Sequence, residues 1–572
     1  MKYRWSMAPA QPLLVGRLIA ELGISPLLAQ CLLNRGFCEP AATGLFLEPR
    51  LKNLADPFLI PNMGAAVDRL FRARERGESL VIFGDYDVDG VTSTTILTEV
   101  LGALGWKVNY YLPHRLEEGY GLSREGVENC LKKFPATLLL AVDCGSTAVA
   151  TVEWLGTQGV DVVVLDHHQV SSPAPAAAAL VNPQLHTGEG VGFRELCSAG
   201  LAFKLAHALL KRGRELGVAA AAEFDLRPLL DLVALGTIAD IVPLTGENRL
   251  LVAAGLRYLD TTRRPGLVAL KEVAGTKAPV GTYEVGFQLA PRLNAAGRLE
   301  DAEEALRLLM AVAANGAETL ARSLDGRNRE RQKIERTIAD EVIGALRAKF
   351  DPARDFVIVE GQLLWHIGVV GIVASRVLQQ FHRPTIILGG DGDDWRGSGR
   401  SISGFDLAGA LTDCRDLLVR HGGHAMAAGL TIATRNVDAL RTRLNDLARR
   451  TLTPADLQPL LRLDADVRLN DITLDRLAEL DRLKPTGQGN PAVQLVARRV
   501  TQARPLQRLG NEKQHVKMWL TDGTGTHETV WWNAGREANP PVGHFDAAFA
   551  PQINEFAGRR VIQLKLLDWQ TS

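Results

Sequence analysis

Residues 81–90 read VIFGDYDVDG. The apolar run Val81-Ile82-Phe83 has the character of a buried strand. It stops at Gly84, and Asp85, Asp87 and Asp89 follow at every second position. In an extended chain alternate side chains share a face, so this spacing aims three carboxylates into one small volume. Like charges that close repel unless a cation sits between them. One or two hard divalent ions would answer that need. Acid-rich turns after strands are also commonly solvated loops, so the segment by itself leaves both readings open.

Working outward, residues 64–260 alternate between helical and strand patterns. GAAVDRLFRARERG (64–77), TSTTILTEVLGALG (92–105), LSREGVENCLKKF (122–134) and TAVATVEWLGTQG (147–159) have helical periodicity. Between them SLVIFGD (79–85), VNYYLP (108–113), LLLAVD (138–143) and VDVVVLD (160–166) are short, nearly continuous apolar strands. That alternation predicts an α/β fold with a parallel sheet covered on both faces, in which ligands sit at the carboxyl ends of strands. The alanine runs at 176–179 and 219–222 read as loop and helix filler.

The same strand-end logic recurs. LLLAV delivers Asp143, VDVVVL delivers Asp166-His167-His168, and DLVALGTIADIVPL (231–244) delivers Asp240 after an apolar helical run. Singly, each is as readily a cap, a turn residue or an exposed loop histidine. Jointly, they place carboxylates and imidazoles at one sheet edge. Oxygen-rich sites with one or two histidines suit Mn²⁺, or Mg²⁺ with retained waters. Two such ions can activate water and stabilise a leaving oxygen on a phosphoryl group.

The rest of the chain bounds the organisation. At 572 residues it is too long for one core. The pattern predicts an N-terminal extension of short helices over residues 1–55, the parallel-sheet domain over 56–270, a helical connector over 271–352, a second, smaller α/β domain over 353–455, and a small antiparallel barrel over 456–572. The formal net charge is zero, so a nucleic-acid site must be a local patch. The six cysteines form no CxxC pair, which argues against a structural zinc site or a disulfide framework and fits a reducing cytoplasm. The apolar stretch LLVGRLIA (13–20) is short and holds Arg17, unlike a signal peptide, and no window approaches a membrane span.

GDYDVDG, VDCG, DHH and GTIADIVPL, in that order, resemble the four motifs of the DHH phosphoesterase superfamily. PRLNAAGRL (291–299), WHIGVVGIVASR (365–376), GSGRSISGFDL (397–407), GGHAMAAG (422–429) and LKPTGQGNP (483–491) narrow the resemblance to its RecJ branch, the bacterial single-strand-specific 5′→3′ DNA exonucleases. It runs from about residue 50 to the C-terminus.

The resemblance implies a two-ion Mn²⁺ or Mg²⁺ site. In it Asp87 and Asp89 bind one ion each with Asp85 beside them, Asp143 bridges, and His167 and Asp240 complete the second position. His168 is expected to face the scissile phosphate or to support the ligands from behind, and Asp166 to orient the histidines. Pyrophosphatases of the superfamily carry a histidine four residues before the first metal aspartate. Here that position is Phe83, which favours the RecJ branch. Thr486 stands in LKPTGQGNP where an aromatic would be expected.

For phosphate recognition the expected donors are Ser398, Arg400 and Ser401 in GSGRS, and Gly422, Gly423 and His424 in GGHAMAAG. Spacing alone would make these segments a tight turn and a helix cap; the resemblance gives them to a substrate-binding domain. Arg115 and Arg298 are candidates for phosphate contacts, including a 5′-terminal phosphate.

The charged stretch ARSLDGRNRERQKIER (321–336) reads equally as a salt-bridged helix or a DNA-facing one. The C-terminal domain sets Arg498, Arg499, Arg504, Arg508, Lys513 and Lys517 near Trp519, Trp531 and Trp532, a composition suited to an OB-fold that binds single strands by stacking. Alternation puts Trp531 and Trp532 on opposite faces, so at most one of them meets DNA.

The expected activity is two-metal release of 5′-mononucleotides from single-stranded DNA in repair and recombination, by a monomer. Single-strand DNA-binding protein and a RecQ-type helicase are the implied partners. A phosphatase or phosphodiesterase acting on nanoRNA or cyclic dinucleotides is one alternative, and a non-catalytic DNA-binding scaffold another.

Overall fold

The computed structural model describes residues 3–115, 117–119, 121–188, 191–535, 539, 541–556 and 558–571. The chain divides into two compact units. One comprises residues 49–333 with 485–491, and the other 1–48, 334–484 and 492–572.

The first unit is built on a five-stranded parallel sheet. Its strands, in spatial order, are Val108–Tyr111, Leu80–Phe83, Leu138–Val142, Asp161–Leu165 and Ala179–Val181. The strands that end in Asp85, Asp143 and Asp166 are therefore neighbours, as the sequence implied. Their side chains alternate between two cores. Leu80, Ile82, Leu138, Leu140, Val163 and Leu165 pack under the helices Met63–Arg76, Val88–Ala103 and Ser198–Glu215. Val81, Phe83, Leu139, Ala141, Val162 and Val164 pack under Arg124–Lys133 and Val149–Thr157. Each fully buried aliphatic side chain contributes about 1.5–3 kcal/mol.

Three details differ from the sequence reading. GDYDVDG is not extended: the strand ends at Phe83 and the next helix starts at Val88 rather than at Thr92. Asp87 is its N-cap, its carboxylate accepting from the Asp89 and Gly90 amides at 2.9 and 3.1 Å. The three aspartates converge through a turn and a helix start, not through strand alternation. The first alanine run leads into an edge strand, Ala179–Val181, while the second does lie in a helix, Ala219–Glu223. The segment 485–491 of LKPTGQGNP packs in this unit. The Gln488 carbonyl accepts from the Leu244 amide at 2.7 Å, and the Thr486 carbonyl from the Thr282 hydroxyl at 2.9 Å.

The connector region is dominated by one 36-residue helix, Ala314–Lys349. Much of its charge is paired. Arg329 meets Asp325 at 2.7 Å, Arg322 meets Glu318 at 3.4 Å, and Arg327 binds Glu300 and Glu304. Of the two readings of that stretch, the salt-bridged helix describes these residues.

The second unit holds a five-stranded sheet in the order Leu418–His424, Ala427–Ala433, Asp394–Arg400, Thr385–Gly390, Ile358–Leu363, parallel only in its last pair. It also holds a C-terminal sheet of Leu495–Leu509, His515–Thr521, Thr526–Trp531, Arg559–Thr571 and Phe545–Phe556. The last of these pairs back onto the first, Phe549 opposite Leu495, and closes the ring. Two pairs in this sheet are parallel, Thr526–Trp531 with Arg559–Thr571 and the short Ala465–Asp466 with Leu495–Leu509, so the barrel is not purely antiparallel as expected.

The N-terminal residues are part of this barrel's core rather than a separate extension. Arg4–Met7 pairs in parallel with Leu460–Leu463. Leu18, Leu28 and Leu32 share one apolar cluster with Leu495, Phe545 and Phe549, and Asp464 accepts from Asn34 and Arg35. Among the described residues no single helix is long and apolar enough to cross a membrane.

Candidate metal centre and nucleic-acid site

The carboxyl ends of the three central strands, with the end of the Leu230–Ala239 helix, bring seven of the expected side chains together. Their ligand atoms form sets that lie within 4.8 Å of one another: Asp85, Asp87 and Asp143; Asp89, His167 and Asp240; and Asp143, His167 and His168. His167 Nε2 stands 3.5 Å from Asp143 Oδ1, 3.5 Å from Asp240 Oδ2 and 3.9 Å from Asp89 Oδ2.

Each group is positioned by backbone that the local sequence dictates. Asp89 lies in the first turn of Val88–Ala103, and its two oxygens accept from the Ser198 and Ala199 amides at 2.7 and 2.8 Å. These are the leading N–H groups of the helix Ser198–Glu215, whose positive end favours a carboxylate. Asp143 has φ of +63°, a left-handed conformation that costs a non-glycine residue about 1–3 kcal/mol. It is held by its amide on the Leu165 carbonyl and by the Ser198 hydroxyl on Oδ1 at 2.9 Å. Asp240 caps the end of Leu230–Ala239, and Ile241 after it has φ of +60°, a true outlier for a β-branched residue. Gly236, one turn earlier, permits the approach of that helix: a Cβ there would stand 2.5 Å from Thr92 Oγ1 and 3.0 Å from Asp89 Oδ1.

The electrostatics of this cluster demand a cation. Burial, then the charges of neighbouring aspartates, hold Asp85 and Asp143 well above the ordinary carboxylate range. The same causes raise Asp89 to about 6 and Asp240 to about 9. Burial and the nearby His168 lower His167 to about 4, so it is a neutral imidazole, the form that ligates metal. His167 Nε2, Asp240 Oδ2 and Asp85 Oδ1 are buried with no hydrogen-bond partner. Buried polar atoms in folded proteins are nearly always satisfied. Three orphaned atoms in one cluster of hard oxygen donors and one imidazole fit Mn²⁺ or Mg²⁺.

Asp166 ties the histidine loop. Its Oδ1 accepts from the His167 amide and lies 2.7 Å from His168 Nδ1, while Oδ2 accepts from the Ser146 amide at 2.9 Å. Burial works against the charges of both partners. For each, the shared hydrogen bond and the opposite charge outweigh it, so His168 rises to about 9 and Asp166 falls below the usual carboxylate range. Asn182 closes the loop by donating to the His168 carbonyl and to Ser146 Oγ, both at 2.8 Å.

Phe83 does not face the cluster. It packs in the core on the other side of the sheet, stacked on Tyr111 at 5.6 Å, while Asp85 reaches the metal group. Tyr86, between the two aspartates, gathers both arginine candidates. The Arg115 guanidinium lies 5.1 Å from its ring centroid. Arg298 follows Gly297, where a Cβ would stand 2.8 Å from the Tyr86 carbonyl. The same helix carries Asn294, which accepts from the Val88 amide at 3.1 Å.

Ser198, Asn294 and Gly236 were not singled out in the sequence. The small residues of Ser198-Ala199-Gly200 opening a helical pattern are the one local hint of an anion-holding helix start.

The remaining phosphate candidates lie on the sheet of the second unit. Ser398 stands opposite Gly429, and Gly429 opposite Gly422, so GSGRS and GGHAMAAG are aligned across one strand. GGHAMAAG is a β-hairpin, neither a helix cap nor a simple turn, with His424 opposite Ala427. Gly423 has φ of +138°, and its Cβ would stand 2.5 Å from the Ala427 carbonyl oxygen. Gly422, Gly423 and His424 are exposed on the edge strand.

Arg400 Nη1 donates to Ser398 Oγ at 3.0 Å. Both side chains reach Gly371, in the first turn of Val370–Phe381, where a Cβ would stand 2.9 Å from Ser398 Oγ. Ser401 is different: it is buried and its hydroxyl donates to the Phe405 carbonyl at 2.7 Å, so it closes its own loop instead of presenting a donor outward. The glycines of GSGRS serve packing, a Cβ at Gly397 or Gly399 meeting Leu388 or Leu407.

On the barrel, Arg504 and Lys517 lie over the Trp519 ring at 5.5 and 5.3 Å. Trp531 packs against the core while Trp532 is 44% exposed. Arg498 is committed to Asp466 and Asp546.

A parallel sheet with aspartates and a DHH triplet at adjoining strand ends defines a DHH-type domain. The model of the DHH family, N-terminal domain, matches residues 79–237, that of the DHHA1 domain residues 354–450, and that of the RecJ OB domain residues 463–568. Over 572 residues the chain is 38% identical to the single-stranded-DNA-specific exonuclease RecJ of Bacillus subtilis, covering 99% of this chain and 71% of that one. The crystal structure of Thermus thermophilus RecJ in complex with Mn²⁺ superposes with a TM-score of 0.84 at 31% identity, covering all of this chain and 80% of that one. The Mg²⁺ complex of the same protein gives 0.78 at 29% identity, covering all of this chain and 78% of that one. The chain belongs to the RecJ family.

Proposed function

We propose that this chain is a divalent-metal-dependent exonuclease that degrades single-stranded DNA from the 5′ end and releases 5′-mononucleotides. The observation that carries the proposal is the convergence of buried, unpartnered ligand atoms from Asp85, His167 and Asp240 within one carboxylate cluster. Asp85, Asp87 and Asp143 would hold one Mn²⁺ or Mg²⁺ ion, and Asp89, His167 and Asp240 a second, with Asp143 near enough to His167 to serve both. When bound, such a pair supplies positive charge to the reacting phosphate and acidifies the attacking water.

The chain's own residues do the rest. The helix Ser198–Glu215 fixes Asp89 through its leading amides. Asp166 keeps His168 protonated, which puts a cationic donor beside the cluster to meet a phosphate oxygen. Arg115 and Arg298, both bordering Tyr86, suit a terminal 5′-phosphate. A terminal phosphate held at a fixed place beside the ions would make polarity a matter of geometry.

Ser398, Arg400, Gly422, Gly423 and His424 would grip the nucleotide backbone, and the barrel's Trp519 platform would stack on bases of the strand. We extend the proposal to a monomer in the cytoplasm, acting in repair and recombination on ends opened by a RecQ-type helicase, beside single-strand DNA-binding protein.

Digestion of oligonucleotides labelled at either end, with Mn²⁺ or Mg²⁺, tests the reading. Mononucleotides should appear from the 5′ end only and from single strands only. Equal attack on both ends, or activity that survives Asp143→Ala, would overturn it.

A further inference from the structure

Tyr283 and Phe287 are 62% and 71% exposed, yet their rings stack on each other with centroids 5.0 Å apart and planes 27° from parallel. Soluble surfaces show few such pairs unless something covers them. They lie on a helical segment whose middle, Val285–Leu289, is a π-turn, a form that recurs at functional sites. The segment runs without a break into Ala290–Leu299, which carries Asn294, bonded to the Val88 amide, and Arg298. Phe287 and Arg298 are thus on one rod, about 16 Å apart at 1.5 Å per residue. The π-turn also touches the helix that delivers Asp240: a Cβ at Gly286 would stand 4.0 Å from Ile238 Cγ2. Two residues on from Ile238, that helix ends at Asp240.

We infer that Tyr283 and Phe287 form a base-stacking ledge for single-stranded nucleic acid beside the metal centre. The inference rests on the proposed function. A single strand entering that site exposes π-faces that water solvates poorly, and an aromatic pair takes any base without reading its edge. The separation from Arg298 corresponds to about three to five nucleotides of strand at 3.4 Å or more per nucleotide. The ledge would therefore hold bases a few nucleotides from a 5′-phosphate at Arg298. It would add affinity that depends on bases and not on phosphates, unlike the arginine contacts.

The test is equilibrium binding of a fluorescent single-stranded oligonucleotide to the intact chain, in EDTA to prevent turnover, for wild type and for Phe287→Ala and Tyr283→Ala/Phe287→Ala. Loss of the pair should weaken binding by roughly tenfold or more. The slope of log affinity against log salt should stay as in wild type, since no phosphate contact is lost. An oligonucleotide with abasic sites in place of the internal bases should bind wild type and variants alike. If wild type binds the strand and the variants bind it as tightly, the ledge is wrong and the proposed function stands. If wild type binds no single strand, both fall. A variant whose weaker binding comes with a change in sedimentation coefficient would show that the pair joins two copies of the chain, which also overturns the ledge.

Discussion

His167 Nε2 and Asp240 Oδ2 face each other at 3.5 Å, both buried and both without a hydrogen-bond partner. The imidazole is held neutral and the carboxylate is raised to about 9, so neither supplies the charge that would satisfy the other. A divalent ion between them resolves the mismatch. His167→Ala and Asp240→Asn should each remove one Mn²⁺ from the stoichiometry measured by titration calorimetry. Each should lower turnover by about a thousandfold, the several kcal/mol an ion contributes at 1.4 kcal/mol per decade. Retention of both ions by His167→Ala would place the second site elsewhere.

Metal should also stabilise the fold. Asp85, Asp89, Asp143 and Asp240 are buried together with pKa values raised by burial and by one another's charge, a repulsion that ions relieve. At a hundred times its Kd, one bound ion contributes about 2.7 kcal/mol. For a unit of this size that raises Tm by roughly 4–5 °C. Thermal unfolding with and without EDTA reads it, and Asp143→Ala should abolish the difference.

Asp166 acts through the histidines and is a positioning residue. Asp166→Asn keeps the shape but loses the charge that holds His168 protonated. A 10–100-fold loss in metal affinity or activity is expected. The NMR titration of His168 should move down from about 9 toward its ordinary value. A role confined to folding would leave that titration in place.

The parts of the site that were legible in the sequence are those whose neighbours are local. Asp85, Asp87 and Asp89 share one turn, and Asp143 and the Asp166-His167-His168 triplet each follow an apolar strand, so sheet logic alone brought them to one edge. Ser198 lies outside every quoted motif, and Asn294 in PRLNAAGRL and Gly236 in GTIADIVPL carried no assigned role, because their roles arise only when three helices pack at the strand ends. The period-2 argument for the aspartates reached the right neighbourhood by the wrong geometry, since Asp87 prefers to cap a helix that its own carboxylate helps to start. The N-terminal helices looked unattached because their partners, Leu495 and Phe545, lie more than four hundred residues away in the chain.

Gly236→Ala tests the packing that sets Asp89. The added Cβ would press on Thr92 Oγ1 at 2.5 Å, Ala199 Cβ at 2.6 Å and Asp89 Oδ1 at 3.0 Å, atoms on two other helices. Overpacking of this kind costs about 1–3 kcal/mol. Denaturant unfolding should show that loss, and Mn²⁺ affinity should fall as Asp89 shifts. An alanine accepted at no cost in either would mean that the helices have slack the geometry does not show.

The barrel offers a pH prediction that involves no metal ligand. Asp522 accepts from the Leu469 amide at 2.8 Å, from the Thr524 amide and hydroxyl at 2.9 and 2.7 Å, and from the Gly525 amide at 3.2 Å. Burial opposes its charge, but these bonds outweigh it and lower the carboxyl to about 2. The unfolded chain returns it to its ordinary value near 4. Between those values the unfolded state binds the proton more readily, so stability rises with pH there. The contribution is complete above about pH 4 and is lost as pH falls through about 2. Asp522→Ala should therefore destabilise the protein by about 1–3 kcal/mol at pH 7. The gap between variant and wild type should hold at pH 5 and narrow at pH 3. A gap that stays constant down to pH 2 would mean that the side chain acts by packing and not by its charge.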